Sequence, residues 1–154
     1  MSDEKIEVSK EILAAPEAVW RVITDLDRAA KVMRNIVAVE RLEGEGYTVG
    51  VRWRETRRMF GRDETEEMWV SDIDEPRSTT VQSRAGGALY TTVFTLEPSD
   101  LGATLAVRFS AATEDPGFGQ RLMLAVFGKT AMKATRKALV EDLDDIATAA
   151  EGRN

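Results

Sequence analysis

Apolar and polar residues alternate along much of the chain, then switch to a helical rhythm toward its C-terminal end. Ile6, Val8 and Ile12 share one parity, the spacing that places side chains on one face of a strand. Ala14-Ala15-Pro16 ends that strand, and proline suits the first turn of a helix because it has no N–H to lose there. From Pro16 the apolar positions are Val19, Trp20, Ile23 and Leu26, and Asp25-Leu26-Asp27 opens a second short piece running through Val32 and Met33. The spacing predicts a broken pair of helices over 16–34.

Strand-like segments follow at Ile36–Leu42, Tyr47–Thr56, Thr65–Ile73, Ser78–Ser83, Ala88–Leu96 and Ala103–Ala111. Turn residues separate them, among them Gly44-Glu45-Gly46, Gly61, Asp74-Glu75-Pro76, Gly86-Gly87 and Pro98-Ser99-Asp100-Leu101-Gly102. Strands in series joined by tight turns predict an antiparallel sheet. The facing of Thr65–Ile73 is not readable from its pattern. Beyond Asp115-Pro116-Gly117, one long helix is predicted from Phe118 to Ala150. Its stripe of Leu124, Gly128, Met132, Thr135, Leu139, Leu143 and Ile146 advances at helical spacing. A helix of ~30 residues is about 45 Å long and crosses seven strands spaced ~4.8 Å apart. It is too narrow to fill the hollow of a strongly curved sheet of that width, so side chains, water or a ligand must take up the rest.

This order of elements, with Ala14-Ala15-Pro16-Glu17-Ala18-Val19-Trp20 early and Phe94-Thr95-Leu96-Glu97-Pro98-Ser99-Asp100-Leu101-Gly102-Ala103-Thr104 late, resembles the START-like, helix-grip (SRPBCC) superfamily. Within it the chain looks most like the polyketide cyclase/dehydrase-like and lipid-transport-like branch. The resemblance spans residues 1–154 as one domain. It implies an α+β helix-grip fold, in which a curved seven-stranded antiparallel sheet wraps a long C-terminal helix and two short helices join the first two strands. It implies a cavity and names no ligand. Many relatives have a tryptophan near the end of the second short helix, where this chain reads Val32-Met33-Arg34-Asn35, so that wall is expected to be built differently.

Charge and composition narrow the chemistry. Acidic residues outnumber basic ones 27 to 21 in 154 residues, the opposite of what a phosphate-binding surface needs, so nucleic acid is not an expected partner. Without histidine or cysteine the chain lacks the common metal ligands, the neutral-pH base and the thiolate nucleophile, and no metal or other cofactor is expected. No apolar run approaches ~20 residues, and the polar Met1-Ser2-Asp3-Glu4-Lys5 start is unlike a secretory signal. A cytoplasmic monomer or homodimer without stable membrane insertion is the expectation.

Alternation places Val49, Val51, Trp53 and Glu55 on one face, and Tyr90, Thr92, Phe94 and Leu96 on another. Trp53, Glu55, Tyr90, Phe94 and Phe109 are the expected sheet wall of a ligand pocket. Met33, Ile36, Met123 and Phe127 would complete the pocket, unless the same residues simply fill the core. Glu55 and Tyr90 are the one pair suited to proton transfer. Arg52, Arg54, Arg57, Arg58 and Arg62 precede Asp63, Glu64, Glu66 and Glu67, a pattern expected to pair across an exposed hairpin. Glu141, Asp142, Asp144 and Asp145 are expected on the solvated face of the long helix. Three functions fit: a carrier or sequestering protein for a polyketide, isoprenoid or lipid, a polyketide cyclase or aromatase, and a protein-interaction module.

Overall fold

The computed structural model describes residues 5–59, 61–85, 87–113 and 128–153. β1 (Lys5–Ile12) leads into α1 (Pro16–Ile23), a 3-10 turn at Leu26–Arg28 and α2 (Ala29–Val32). Then come β2 (Ile36–Glu43), β3 (Arg52–Met59), β4 (Arg62–Asp74), β5 (Ser78–Ala85), β6 (Ala88–Ser99), β7 (Gly102–Thr113) and α3 (Lys129–Ala150). The strands form one curved antiparallel sheet in the order β1-β7-β6-β5-β4-β3-β2. β2 to β7 is a meander of hairpins, but β1 and β2 sit on opposite edges although they are consecutive in sequence. α1 and α2 therefore have to bridge the two edges, which the curl of the sheet makes possible. This is the α+β helix-grip architecture.

α3, about 33 Å long at 1.5 Å per residue, lies in the hollow and packs chiefly on β1 and α1. Leu143, Ile146 and Ala147 are buried because residues three and four apart share a helix face. They meet Val19 and Trp20 from α1, Ile12 from β1, Leu96 from β6, and Ala103, Leu105 and Val107 from β7 in one dry cluster. Proline at the first turn of α1 and the Thr24 hydroxyl donating to the Trp20 carbonyl at 2.8 Å bracket that helix.

The β6–β7 hairpin is locked by Gly102. Its φ is +147°, and a Cβ there would lie 2.6 Å from the Ile12 carbonyl oxygen and 2.7 Å from the Ala14 backbone N and O. Glycine alone lets the hairpin and the end of β1 approach that closely.

The elements differ from the expected ones in two places. The predicted strand Tyr47–Thr56 begins at Arg52. Residues before it turn at Gly50, whose φ is +95°, so Val49 leaves the phase of Val51 and Trp53 and is 61% exposed. The long helix starts at Lys129 and does not run through Gly128, whose backbone is extended (φ −63°, ψ 157°) as the helix cap. The stretch from Phe118 to Phe127, including stripe position Leu124, lies outside the described residues.

Candidate functional site

The concave face has two ends of different chemistry, and β6 and β7 contribute to both. Near their shared hairpin, Leu96, Leu105 and Val107 are buried in the dry cluster. Farther along the same strands, the larger inward side chains Tyr90, Thr92, Phe94 and Phe109 are only partly buried, while Ala88 and Ala111 beyond them are buried and Tyr90 packs with Met132 and Leu139 of α3 against Ile6 and Ala111. Register carries this second wall across the sheet. Ser83 lies opposite Tyr90, Met68 opposite Ser83, and Trp53 opposite Met68, so this second wall runs from β7 to β3.

Tyr90 and Phe109 stack with ring centroids 5.8 Å apart and planes 12° from parallel, a favourable aromatic arrangement. Trp53 is 3% exposed, packed in a cluster with Leu26, Val51, Val70 and Val81. A β-bulge between Val70 and Asp72 settles the facing of β4. Before it Glu66, Met68 and Val70 point inward, and the extra residue returns Ile73 to the inner face.

Charged groups sit inside this end. The Glu55 side chain is 11% exposed. The Trp53 indole donates to its Oε1 at 3.1 Å, and the Arg57 Nε donates to its Oε2 at 2.8 Å. Arg57 also reaches α3, where its guanidinium meets the two Asp142 carboxylate oxygens at 2.9 and 3.3 Å. Burial works against the Arg57 charge, but the Asp142 and Glu55 carboxylates outweigh it and hold the guanidinium above its ordinary pKa. Burial pushes the Asp142 carboxyl up, Arg57 opposes the rise, and the nearby Glu55 and Asp145 charges add to it. Glu66 accepts a hydrogen bond from the Ser83 hydroxyl at 3.1 Å. Burial first, and then the Glu66 charge, raise the Tyr90 phenol.

The two charged runs thus divide in a way their pattern did not predict. Arg58 with Asp63 and Arg52 with Glu67 pair across β3 and β4 as expected, whereas Arg54 pairs with Glu40 on β2 and Arg62 with Glu64 on its own strand. Arg57 turns inward instead, because it is two residues beyond Glu55 in a strand where every second side chain shares a face. The acidic segment of α3 is not a solvated face: Asp142 is 5% exposed, Asp144 pairs with Lys10, and Asp145 takes Arg34 through paired contacts of 2.8 to 3.1 Å. Asn35 adds a hydrogen bond to Glu141 at 3.1 Å. The segment Val32-Met33-Arg34-Asn35 is therefore clamped to α3 by polar contacts.

Of the expected pocket residues, Trp53, Glu55, Tyr90 and Phe109 share this second wall, with Trp53 packed in a buried cluster. Phe94 lies at its border and, with Met33, packs against the dry cluster. Ile36 is buried at the start of β2. Met123 and Phe127 lie outside the described residues. Arg57, Glu66, Ser83 and Asp142 complete the polar lining. An open cleft of about 300 Å³ between α1, α2 and the end of α3, lined by Arg21, Asp25 and Arg28 among others, is remote from these groups.

Among the described residues no helix is long and apolar enough to cross a membrane. No curated protein matches the chain. Solved structures with the same fold include the Zhui aromatase/cyclase from Streptomyces sp. R1128, with a TM-score of 0.77 at 17% identity over 97% of this chain and 94% of that one. Ara h 8.0201 gives 0.75 at 14% identity over 99% and 100%. A protein from Thermus thermophilus gives 0.70 at 19% identity over 95% and 99%. At these identities the likeness concerns the fold alone. The sequence itself goes further, since residues 3–151 match the profile of one family: the chain belongs to the polyketide cyclase/dehydrase and lipid transport family.

Proposed function

We propose that the chain binds a hydrophobic small molecule of the polyketide, isoprenoid or lipid kind in a chamber between this second wall and α3. The observation that carries this reading is the contrast within β6 and β7. Inward side chains at one end are fully buried, whereas Tyr90, Thr92, Phe94 and Phe109 remain partly accessible on the same inner face. A folded core of this size normally closes over such aromatics, and an apolar surface with a few polar groups left accessible inside a cup is the chemistry of a ligand site. The family's joint description, cyclase/dehydrase and lipid transport, agrees with it.

Binding without turnover is the function favoured here. Both Glu55 oxygens are occupied, by Trp53 and Arg57, and a carboxylate neutralised by a guanidinium is a poor general base. Titration with the neutral dye Nile red is expected to give saturable one-site binding at micromolar concentration. Thr92→Trp, which fills the chamber from β6, is expected to weaken it while the protein still melts cooperatively. No saturable binding to the wild-type protein would sink the proposal.

A further inference from the structure

The polar groups of the chamber say more about the end group of the ligand, an inference that rests on the binding function proposed above. Cations on and around the inner face are already paired. Arg57 is held between Glu55 and Asp142. On the two edge strands, Lys10 pairs with Asp144 and Arg41 with Asp27. Glu66 differs. Its contact is the neutral Ser83 hydroxyl on Oε2, and among the described residues no cation lies within ion-pairing distance of it. The Tyr90 hydroxyl, facing the same side from β6 across Ser83, has no hydrogen-bond partner among the described residues. It is not sealed off either, since no buried side-chain polar atom there lacks a partner.

We infer that the chamber selects ligands whose polar end donates hydrogen bonds, a hydroxyl or an ammonium, and discriminates against carboxylates, with Glu66 and Tyr90 as the selecting residues. A ligand that covers these two groups takes them out of water, and an acceptor left without a donor in a desolvated site is costly. A hydroxyl repairs the loss by donating to Glu66 and accepting from the Tyr90 phenol. An ammonium donates to both oxygens and adds charge attraction. A carboxylate offers no donor and meets a like charge in a medium that screens it poorly. Arg57 cannot rescue it without giving up one of its two carboxylates. Tyr90 suits the role because burial and the Glu66 charge keep its phenol protonated.

The test compares one ten-carbon chain with three ends, 1-decanol, decylammonium and decanoate, by calorimetry at pH 8 on the full chain. Decanol and decylammonium are expected to bind roughly tenfold or more tightly than decanoate. In Glu66→Gln, which keeps an acceptor for Ser83, the decanoate penalty is expected to shrink and the decylammonium advantage to vanish. Tyr90→Phe is expected to weaken decanol without improving decanoate. Decanoate binding as tightly as decanol, an order of affinities unchanged in Glu66→Gln, or Nile red binding while no ten-carbon ligand does would each overturn the selection and leave the binding function standing. If Nile red also fails to bind, the proposed function falls and the selection with it.

Discussion

The two ends of the concave face are built from the same strands and solve opposite problems. At the hairpin end, Ile12, Val19, Leu105, Val107, Leu143 and Ile146 are sealed with at most 2% exposure, and the only requirement is volume. At the far end, Glu55, Arg57 and Asp142 form a bridged ionic group spanning β3 and α3, next to aromatics that are not fully covered. The dry end holds the helix onto the sheet; the polar end gives up apolar burial for groups that must each find a partner. Stability is thus concentrated away from the proposed site, and sites that recognise ligands are commonly drawn from the less stable part of a fold.

Ile146→Ala tests the first half of that contrast. Emptying a fully buried position is expected to cost ~2–5 kcal/mol in denaturant unfolding, while Nile red affinity stays within about twofold because the sites are distant. A large loss of binding would mean that the ends are not separable. At the polar end, Asp142→Ala leaves Arg57 with half its compensation. The expected cost is ~2–4 kcal/mol, below the full value for a sealed pair because the Arg57 side chain is 28% exposed. The triple variant Glu55→Gln/Arg57→Met/Asp142→Leu, which leaves no member of the group as an unpaired charge, is expected to regain most of it, which a loss due to packing alone would not do.

How much of this contrast is legible in the sequence depends on the kind of residue. The meander, the two short helices and the stripe at Leu139, Leu143 and Ile146 follow from apolar periodicity, which the buried face enforces at each step. The ionic group is hidden because charged residues read as solvated by default. Its signal was present: Arg57 keeps the parity of Trp53 and Glu55, and Asp142 falls at helical spacing between Leu139 and Ile146. Glu66 was out of reach, since the bulge after Val70 breaks the parity on which any facing of β4 would rest. Val49 illustrates the converse, an apolar residue of the right parity that Gly50 separates from its strand.

Smaller effects sharpen the comparison. Phe109→Ala removes half of a stacked pair on a partly covered wall, so unfolding is expected to shift by only ~1–2 kcal/mol, while Nile red affinity falls about tenfold. Equal losses in both measurements at the scale of Ile146→Ala would make that end an ordinary core. The ends also respond oppositely to pH. Beside the dry end, hydrogen bonds from Ser99 and then Thr104 lower the Glu11 carboxyl, and the Leu13 N–H, followed by Arg153, lowers Glu151. A lowered carboxyl contributes stability that is present above its unfolded value of 4.5 and is lost as pH falls through the folded one. The raised Asp142 carboxyl does the reverse, favouring the fold at low pH and losing that contribution as pH rises through its folded value. Melting temperature followed downward from neutral pH is therefore expected to fall less steeply in Glu151→Gln and more steeply in Asp142→Asn than in the unaltered protein.

The position of β1 also bears on how the chain is made. Lys5 pairs with Ser110, about a hundred residues later, whereas the strands from β2 onward pair with their immediate successors. At synthesis rates of ~5–20 residues per second, β1 stays unpaired for ~5–20 s while the meander assembles. The edge of β7, with Leu105 and Val107 along it, is completed before the last helix can cover it. For that interval the chain carries an unprotected strand whose own partner is not yet made, while a neighbouring nascent chain that has reached β7 offers the matching edge, a combination prone to pairing between chains, and closure of this contact is the step expected to set the rate of refolding.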